Sequence, residues 1–258
     1  MVLVKSMFKS WNKFIKEVVD TSSIKVHREL NQKFWEGESA ELNSEIRENL
    51  LEIVRDFMGS SESLDVPFED ITFTGSLANF NYSKYSDIDL HIVVNFSDVN
   101  EDVEMVKEYF NSKKALWNYL HEILIKGYEV EIYVQDVNEK HISSGVYSVL
   151  NNKWINKPKF KEAEIDRENI KKKATSLADQ ITRAAKLYDE EKYEEALERA
   201  EILREKIQKF RKAGLAKNGE FSIENLSFKT LRTGKYLKKL SNLKRNAYDK
   251  IMSIKENT

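Results

Sequence analysis

Every β-branched run of strand length in this chain lies before Pro158, and the sequence beyond it reads as helix rich in lysine, glutamate and leucine. That pattern predicts an α/β part followed by an all-helical part. With 258 residues there is room for one large domain or two small ones. The change of texture puts a boundary between Trp154 and Lys161, because Pro158 disfavours helix in the residue before it. The expected division is 1–160, which includes N-terminal helices, and 161–258, a helical hairpin followed by basic helices. The formal charge of −1 divides in the same way: residues 160–258 sum to +7, which leaves −8 for residues 1–159.

Composition excludes several chemistries. The chain has no cysteine, which removes disulfide scaffolds, thiolate metal sites and cysteine nucleophiles together. Only four histidines are present, and His27, His121 and His141 have no zinc-like spacing. No run of about 18 apolar residues occurs, and the opening MVLVKSMFKSWNKF is too interrupted by lysine for a secretory signal. A cytoplasmic protein with no membrane partner is expected.

Within the first part, residues 41–58 place Ile46, Leu50, Ile53, Val54 and Phe57 on one helical face, with Asn43 or Ser44 as cap. Three short runs rich in Ile, Val, Phe or Tyr predict strands over 71–74, 88–95 and 128–134. A helix between the last two carries Val106, Phe110, Leu116, Trp117 and Leu120 at helical spacing. The sum is a small mixed sheet covered by helices. VYSVL-NN-KWI predicts a hairpin with Asn151 and Asn152 in a two-residue turn, on which Tyr147 and Trp154 serve packing. In the second part, Ile170, Ala174, Leu177, Ile181, Ala184 and Tyr188 alternate steps of four and three. Tyr193, Ala196, Ala200, Leu203, Ile207 and Phe210 repeat the rhythm and predict an antiparallel helical pair. Gly234 punctuates before a last helix.

The stretch Gly75 to Val94, GSLANFNYSKYSDIDLHIVV, carries the chemistry. A strand ends in Gly75-Ser76, ten residues intervene, and Asp87-Ile88-Asp89 opens the next. Alternation puts Asp87 and Asp89 on one face with Cα atoms about 6.6 Å apart. Two such carboxylates repel, and divalent cations with a taste for oxygen ligands relieve the repulsion. Gly75 allows close approach of a ligand, and the Ser76 hydroxyl can donate to a phosphate oxygen. The strand YEVEIYV offers a third carboxylate, Glu131 by preference and Glu129 as substitute. His91 continues the face of the aspartates and reads as a hydrogen-bonded residue of the sheet rather than a ligand.

Gly-Ser, ten residues ending in Ser86, then Asp87-Ile88-Asp89-Leu90, followed by a strand with one acidic residue, resembles the DNA polymerase beta-like nucleotidyltransferase superfamily. The minimal nucleotidyltransferase type matches the spacing best. The segments LNSEIRENLLEIVRDF, TGSLANFNYSKYSDIDLHIVV and GVYSVLNNKWINKP are similar to uncharacterised nucleotidyltransferase-like proteins of bacteriophage and bacterial genomes. The superfamily pattern covers roughly residues 70–134. The resemblance implies an enzyme that transfers a nucleoside monophosphate from a nucleoside triphosphate to an acceptor hydroxyl, with pyrophosphate leaving. It implies two magnesium (or manganese) ions on Asp87, Asp89 and Glu131, and triphosphate contacts at Gly75 and Ser76. Minimal members often carry a second glycine four residues after the serine, where this chain has Phe80, preceded by Asn79.

Residues 209–250 hold 12 Lys and Arg against 3 Asp and Glu, interleaved with Phe and Tyr. Such a basic tail beside a nucleotidyl-transfer site points to an RNA end as acceptor. A protein side chain or small molecule as acceptor, and a catalytically silent nucleotide-sensing module, are the competing expectations.

Overall fold

A computed structural model describes residues 19–59, 66–139 and 143–253. The expected N-terminal helices and His141 therefore lie outside the described residues. The chain divides into two compact units, Lys25–Glu162 and a second that joins Met1–Ile24 to Ala163–Thr258. The division falls two residues beyond the one expected from the sequence, and the described N-terminal residues, 19–24, group with the helices. Within that second unit Arg167 donates from its guanidinium to the carbonyls of Thr21 and Ile24, and Ile24 packs against Ile170 and Leu226.

The sheet unit is α/β. A two-stranded ladder, β1 (Trp35–Glu36) with β2 (Glu41–Leu42), precedes helix α1 (Ser44–Gly59). Asn43 caps α1: its side-chain oxygen accepts from Ile46 N–H at 3.1 Å. Then come β3 (Asp70–Thr74), β4 (Ile88–Val94), a single turn α2 (Phe96–Val99) and helix α3 (Val103–Leu120). They are followed by β5 (Leu124–Ile125), β6 (Tyr128–Asp136), β7 (Val146–Ser148) and β8 (Lys153–Asn156). Six of these strands form one mixed sheet in the order β5-β6-β4-β3-β7-β8. The β4–β6 pair is parallel, as the long crossover through α3 requires, and the other pairs are antiparallel.

One face of the sheet is apolar. Ile71 and Phe73, Ile88, Leu90 and Ile92, and Val130, Ile132 and Val134 form one cluster with Ile46, Leu50, Val54 and Phe57 of α1 and Val106, Phe110 and Trp117 of α3. Fully burying each such side chain is worth about 1.5–3 kcal/mol, and this face is what holds the strand register. Leu116 and Leu120 depart from expectation and stand exposed. Leu116 lies a helical step of about 100° off the inward Phe110–Trp117 line, and Leu120 is the last residue of the helix. The α3 side chain Asn118 meets the outer edge of β6, where its amide donates to the Ile132 carbonyl (3.2 Å) and its oxygen accepts from the Ile132 N–H (3.3 Å).

Two turns refine the sequence reading. Lys126 and Gly127 both have positive φ, 51° and 88°, the geometry of a two-residue hairpin joining β5 to β6. The β7–β8 hairpin, expected to turn on Asn151-Asn152 alone, pairs Ser148 with Lys153 across a four-residue loop in which only Asn152 is left-handed, at φ 52°. The Tyr147 hydroxyl ties that longer loop to β7 by donating to the Asn152 side chain at 3.0 Å.

The second unit is helical: α4 (Arg167–Asp189), α5 (Tyr193–Asn218), α6 (Ile223–Thr233) and α7 (Tyr236–Met252). Ala174, Leu177, Ile181, Ala184 and Tyr188 of the expected seam share one buried cluster with Ala196, Ala200, Leu203 and Ile207; Ala178 and Ala185 widen it, and Leu240, Leu243 and Ala247 of α7 complete it. Before α7 the left-handed residue is Lys235 (φ 58°), not Gly234. A methyl on Gly234 would stand 3.0 Å from the Tyr236 ring, so the glycine supplies space there rather than backbone freedom. Among the described residues no helix is long and apolar enough to cross a membrane.

Candidate active site

Strand alternation builds the site from the face of β4 opposite the apolar one. Ile88, Leu90, Ile92 and Val94 point into the core, so Asp89, His91 and Val93 point the other way. Thr74 of β3 lies beside Asp89 on one side and Glu131 of β6 on the other, because the registers pair Thr74 with Asp89 and Asp89 with Glu131. Adjacent strands run about 4.8 Å apart, which makes the two acidic residues lateral neighbours. Asp87, one residue ahead of β4 and two before Asp89, continues the same face at its rim. Asp87 and Asp89 are half-buried and Glu131 is exposed. Glu129 lies two residues earlier on the same face of β6, where β5 flanks it through the register with Leu124.

Gly75 joins this face to the loop. Its φ of +78° suits glycine, and a Cβ added there would fall 1.7 Å from Asp89 Oδ2. The Asp89 carboxylate therefore rests directly on the glycine. Ser76 follows, and its hydroxyl donates to the Ser86 hydroxyl at 2.8 Å. Ser86 Oγ also accepts from Ser83 N–H (2.9 Å), and Ser86 N–H closes the turn onto the Ser83 carbonyl (3.0 Å).

The loop from 75 to 87 is held along its length. Leu77 and Ala78 are fully buried, Trp35 Nε1 donates to the Leu77 carbonyl at 2.8 Å, and Gly145 packs so closely that a Cβ there would meet the Ala78 carbonyl oxygen at 1.9 Å. His27 N–H donates to the Phe80 carbonyl at 2.8 Å, and the His27 ring stacks on Tyr82 at 3.7 Å between centroids. Phe80 packs edge-on against Phe160, and the Asn79 amide donates to the Ser144 hydroxyl.

His91 is the hydrogen-bonded residue the sequence suggests. Gln135 donates its amide N–H to the Glu139 carbonyl (2.9 Å), so its oxygen faces His91 Nδ1 at 2.8 Å. That contact assigns the proton of the neutral ring to Nδ1. Burial holds the His91 pKa below its ordinary value, and the Gln135 hydrogen bond opposes the shift. The sequence reading missed Lys114 of α3. Its ammonium lies 4.4 Å from the Tyr133 ring centroid. Desolvation lowers its pKa, while the nearby Glu131 and Glu139 carboxylates act to raise it. Placement four residues after the inward-facing Phe110 is the signal that could have drawn it toward the sheet.

The donor chemistry suits a hard divalent cation, since all three candidate side chains are carboxylates. Among the described residues no group of three or more His, Asp or Glu side chains gathers around one point a metal could occupy. Asp87, Asp89 and Glu131 share a face without forming a closed cage. A separate groove of ≈ 410 Å³ between α1 and the β5 turn is lined by Glu45, Glu52, Asp56, Ile123 and Lys126 among others, and none of the candidate residues borders it. Searches against protein-family models, curated proteins and solved structures find no match.

Proposed function

We propose that this chain is a metal-dependent nucleotidyltransferase that moves a nucleoside monophosphate from a nucleoside triphosphate to an acceptor hydroxyl and releases pyrophosphate. The observation that carries this reading is the seating of Asp89 between Gly75 and Glu131, which sets a carboxylate pair against a glycine-serine loop. The sequence resemblance to the polymerase beta-like superfamily supports it.

In this reading Asp87, Asp89 and Glu131 hold two magnesium or manganese ions. Bound there, the metal supplies charge neutralisation at the α-phosphoryl group and lowers the pKa of the acceptor hydroxyl. Gly75 admits the β- and γ-phosphates close to the backbone, and the Ser76 hydroxyl, which donates to Ser86 Oγ in this structure, turns its one proton to them while Ser86 donates back to Ser76 Oγ. Catalysis is then positioning and charge stabilisation rather than covalent chemistry by the protein. The acceptor class is an RNA end, favoured by the excess of nine positive charges in residues 209–250.

The test is incubation with each α-labelled triphosphate, magnesium and cell extract, followed by separation of label in RNA from label in protein and small molecules. Label in RNA is expected. Asp87→Asn and Asp89→Asn should each cut transfer by 10²–10³-fold, about 2.7–4 kcal/mol, with the far-ultraviolet circular dichroism unchanged. Near wild-type transfer in either variant, or triphosphate binding with no pyrophosphate under any acceptor condition, overturns the assignment. Label in protein or small molecules alone overturns the acceptor class.

A further inference from the structure

Lys84 is the only lysine or arginine between Gly75 and Glu104, and it stands exposed at the tip of the loop that carries the candidate phosphate contacts. The tip is fixed. Ser83 and Ser86 close the turn around Lys84 and Tyr85 through Ser86 N–H to Ser83 O (3.0 Å) and Ser83 N–H to Ser86 Oγ (2.9 Å). Tyr85 N–H donates to Ser83 Oγ at 3.2 Å. The same Ser86 Oγ accepts from Ser76, so a single hydroxyl ties the Lys84 turn to the serine proposed to meet phosphate. Among the described residues Lys84 has no carboxylate partner. Its ammonium lies 4.9 Å from the centroid of the Tyr85 ring, which is itself 43 % exposed.

A cation resting on an exposed aromatic face is held weakly and exchanges readily for an anionic oxygen, which binds it more strongly. Three carboxylates and a triphosphate together bring more negative charge than two divalent cations cancel, so such a site calls for a further cation on the phosphate side. Lys114 does not meet that need, because it lies beyond β4 against Tyr133 with Glu131 and Glu139 as its neighbouring anions.

We propose that Lys84 is a triphosphate-binding residue, whose ammonium leaves the Tyr85 ring to meet the outer phosphates of a nucleoside triphosphate seated on Gly75 and Ser76. The inference rests on the nucleotidyltransferase reading and deepens it: the substrate is selected as a triphosphate, over the corresponding monophosphate, by a lysine on the loop rather than by metal alone. Tyr85 holds the side chain ready near the loop when no nucleotide is bound.

The experiment is isothermal titration of the full chain, with magnesium and without acceptor, by each of the four nucleoside triphosphates. The tightest is then compared with its own monophosphate. Lys84→Met should weaken triphosphate binding about tenfold and leave monophosphate binding within twofold. Lys84→Arg should restore triphosphate binding to within about threefold of wild type, and Tyr85→Leu should leave it no weaker, since the ring competes with the phosphate. Equal weakening of both ligands by Lys84→Met, or no weakening of either, overturns the proposal while the nucleotidyltransferase reading stands. A wild-type chain that binds no triphosphate overturns both. Lys84 is exposed, so the variants are expected to fold, and an unchanged thermal transition for each verifies it.

Discussion

Replacing Gly75 by alanine strains the backbone and displaces a carboxylate at once. An L-residue at φ +78° costs about 1–2 kcal/mol relative to glycine. The new methyl would stand 1.7 Å from Asp89 Oδ2 and 2.7 Å from its Cγ, whereas ordinary contact begins at 3.4 Å. The oxygen must therefore retreat by about 1.7 Å (3.4 less 1.7), which takes it off its rotamer or away from Glu131 at a further cost of about 0.5–1.5 kcal/mol. The expected loss is about 1.5–3.5 kcal/mol of stability. Gly127→Ala supplies the comparison, because Gly127 has φ +88° with nothing within 4 Å of the added methyl, so only the backbone strain applies. Three of the four tryptophans, Trp35, Trp117 and Trp154, belong to the sheet unit, so urea unfolding followed by tryptophan fluorescence in a Trp11→Phe background reads the relevant transition. The Gly75 variant should lose more stability than the Gly127 variant, and it alone should lose magnesium and triphosphate affinity, by tenfold or more. Equal destabilisation of the two variants with unchanged ligand binding would refute the claim that Gly75 exists to seat Asp89.

Two further outcomes follow from buried polar groups. Burial lowers the pKa of His91, so below about pH 6.5 the unfolded chain takes up a proton that the folded chain resists, and stability falls as pH falls, by at most about 1.4 kcal/mol per pH unit. His27 shifts the same way. Between pH 7.5 and 5.5 the urea midpoint should drop, and His91→Asn should drop less than wild type; an identical drop would remove His91 from the account. Tyr147 is fully buried, and its hydroxyl accepts from Leu42 N–H at 3.2 Å as well as donating to Asn152. Tyr147→Phe should cost about 1–3 kcal/mol in urea unfolding, because it orphans the Leu42 amide. A loss below about 0.5 kcal/mol would mean that water replaces the hydroxyl.

Periodicity made the long elements legible. The three apolar runs became β3, β4 and β6, and the amphipathic stretch at 41–58 became α1, because one buried face dictates both residue type and spacing. Short or strained pieces were not legible. The two-residue strands β1, β2 and β5 have no room for a period, and the left-handed Lys126 and Lys235 carry no side-chain signature of their conformation. For the site, spacing placed Asp87 and Asp89 on one face, but only the parallel register of β4 with β6 brought Glu131 beside Asp89. That pairing joins residues more than forty apart, which no local pattern encodes. The role of Gly75 as the seat of a carboxylate likewise depends on the fold.

The side chain of Asn118 imitates a neighbouring strand at Ile132, giving one donor and one acceptor where another backbone would otherwise attach. A sheet margin satisfied in this way offers an incoming polypeptide fewer vacant groups to zip onto, which guards against fibrous self-association during synthesis and refolding. Exchanging that amide for a leucine of similar bulk would preserve the packing yet reopen the seam, making turbidity at high concentration the property most sensitive to this one residue.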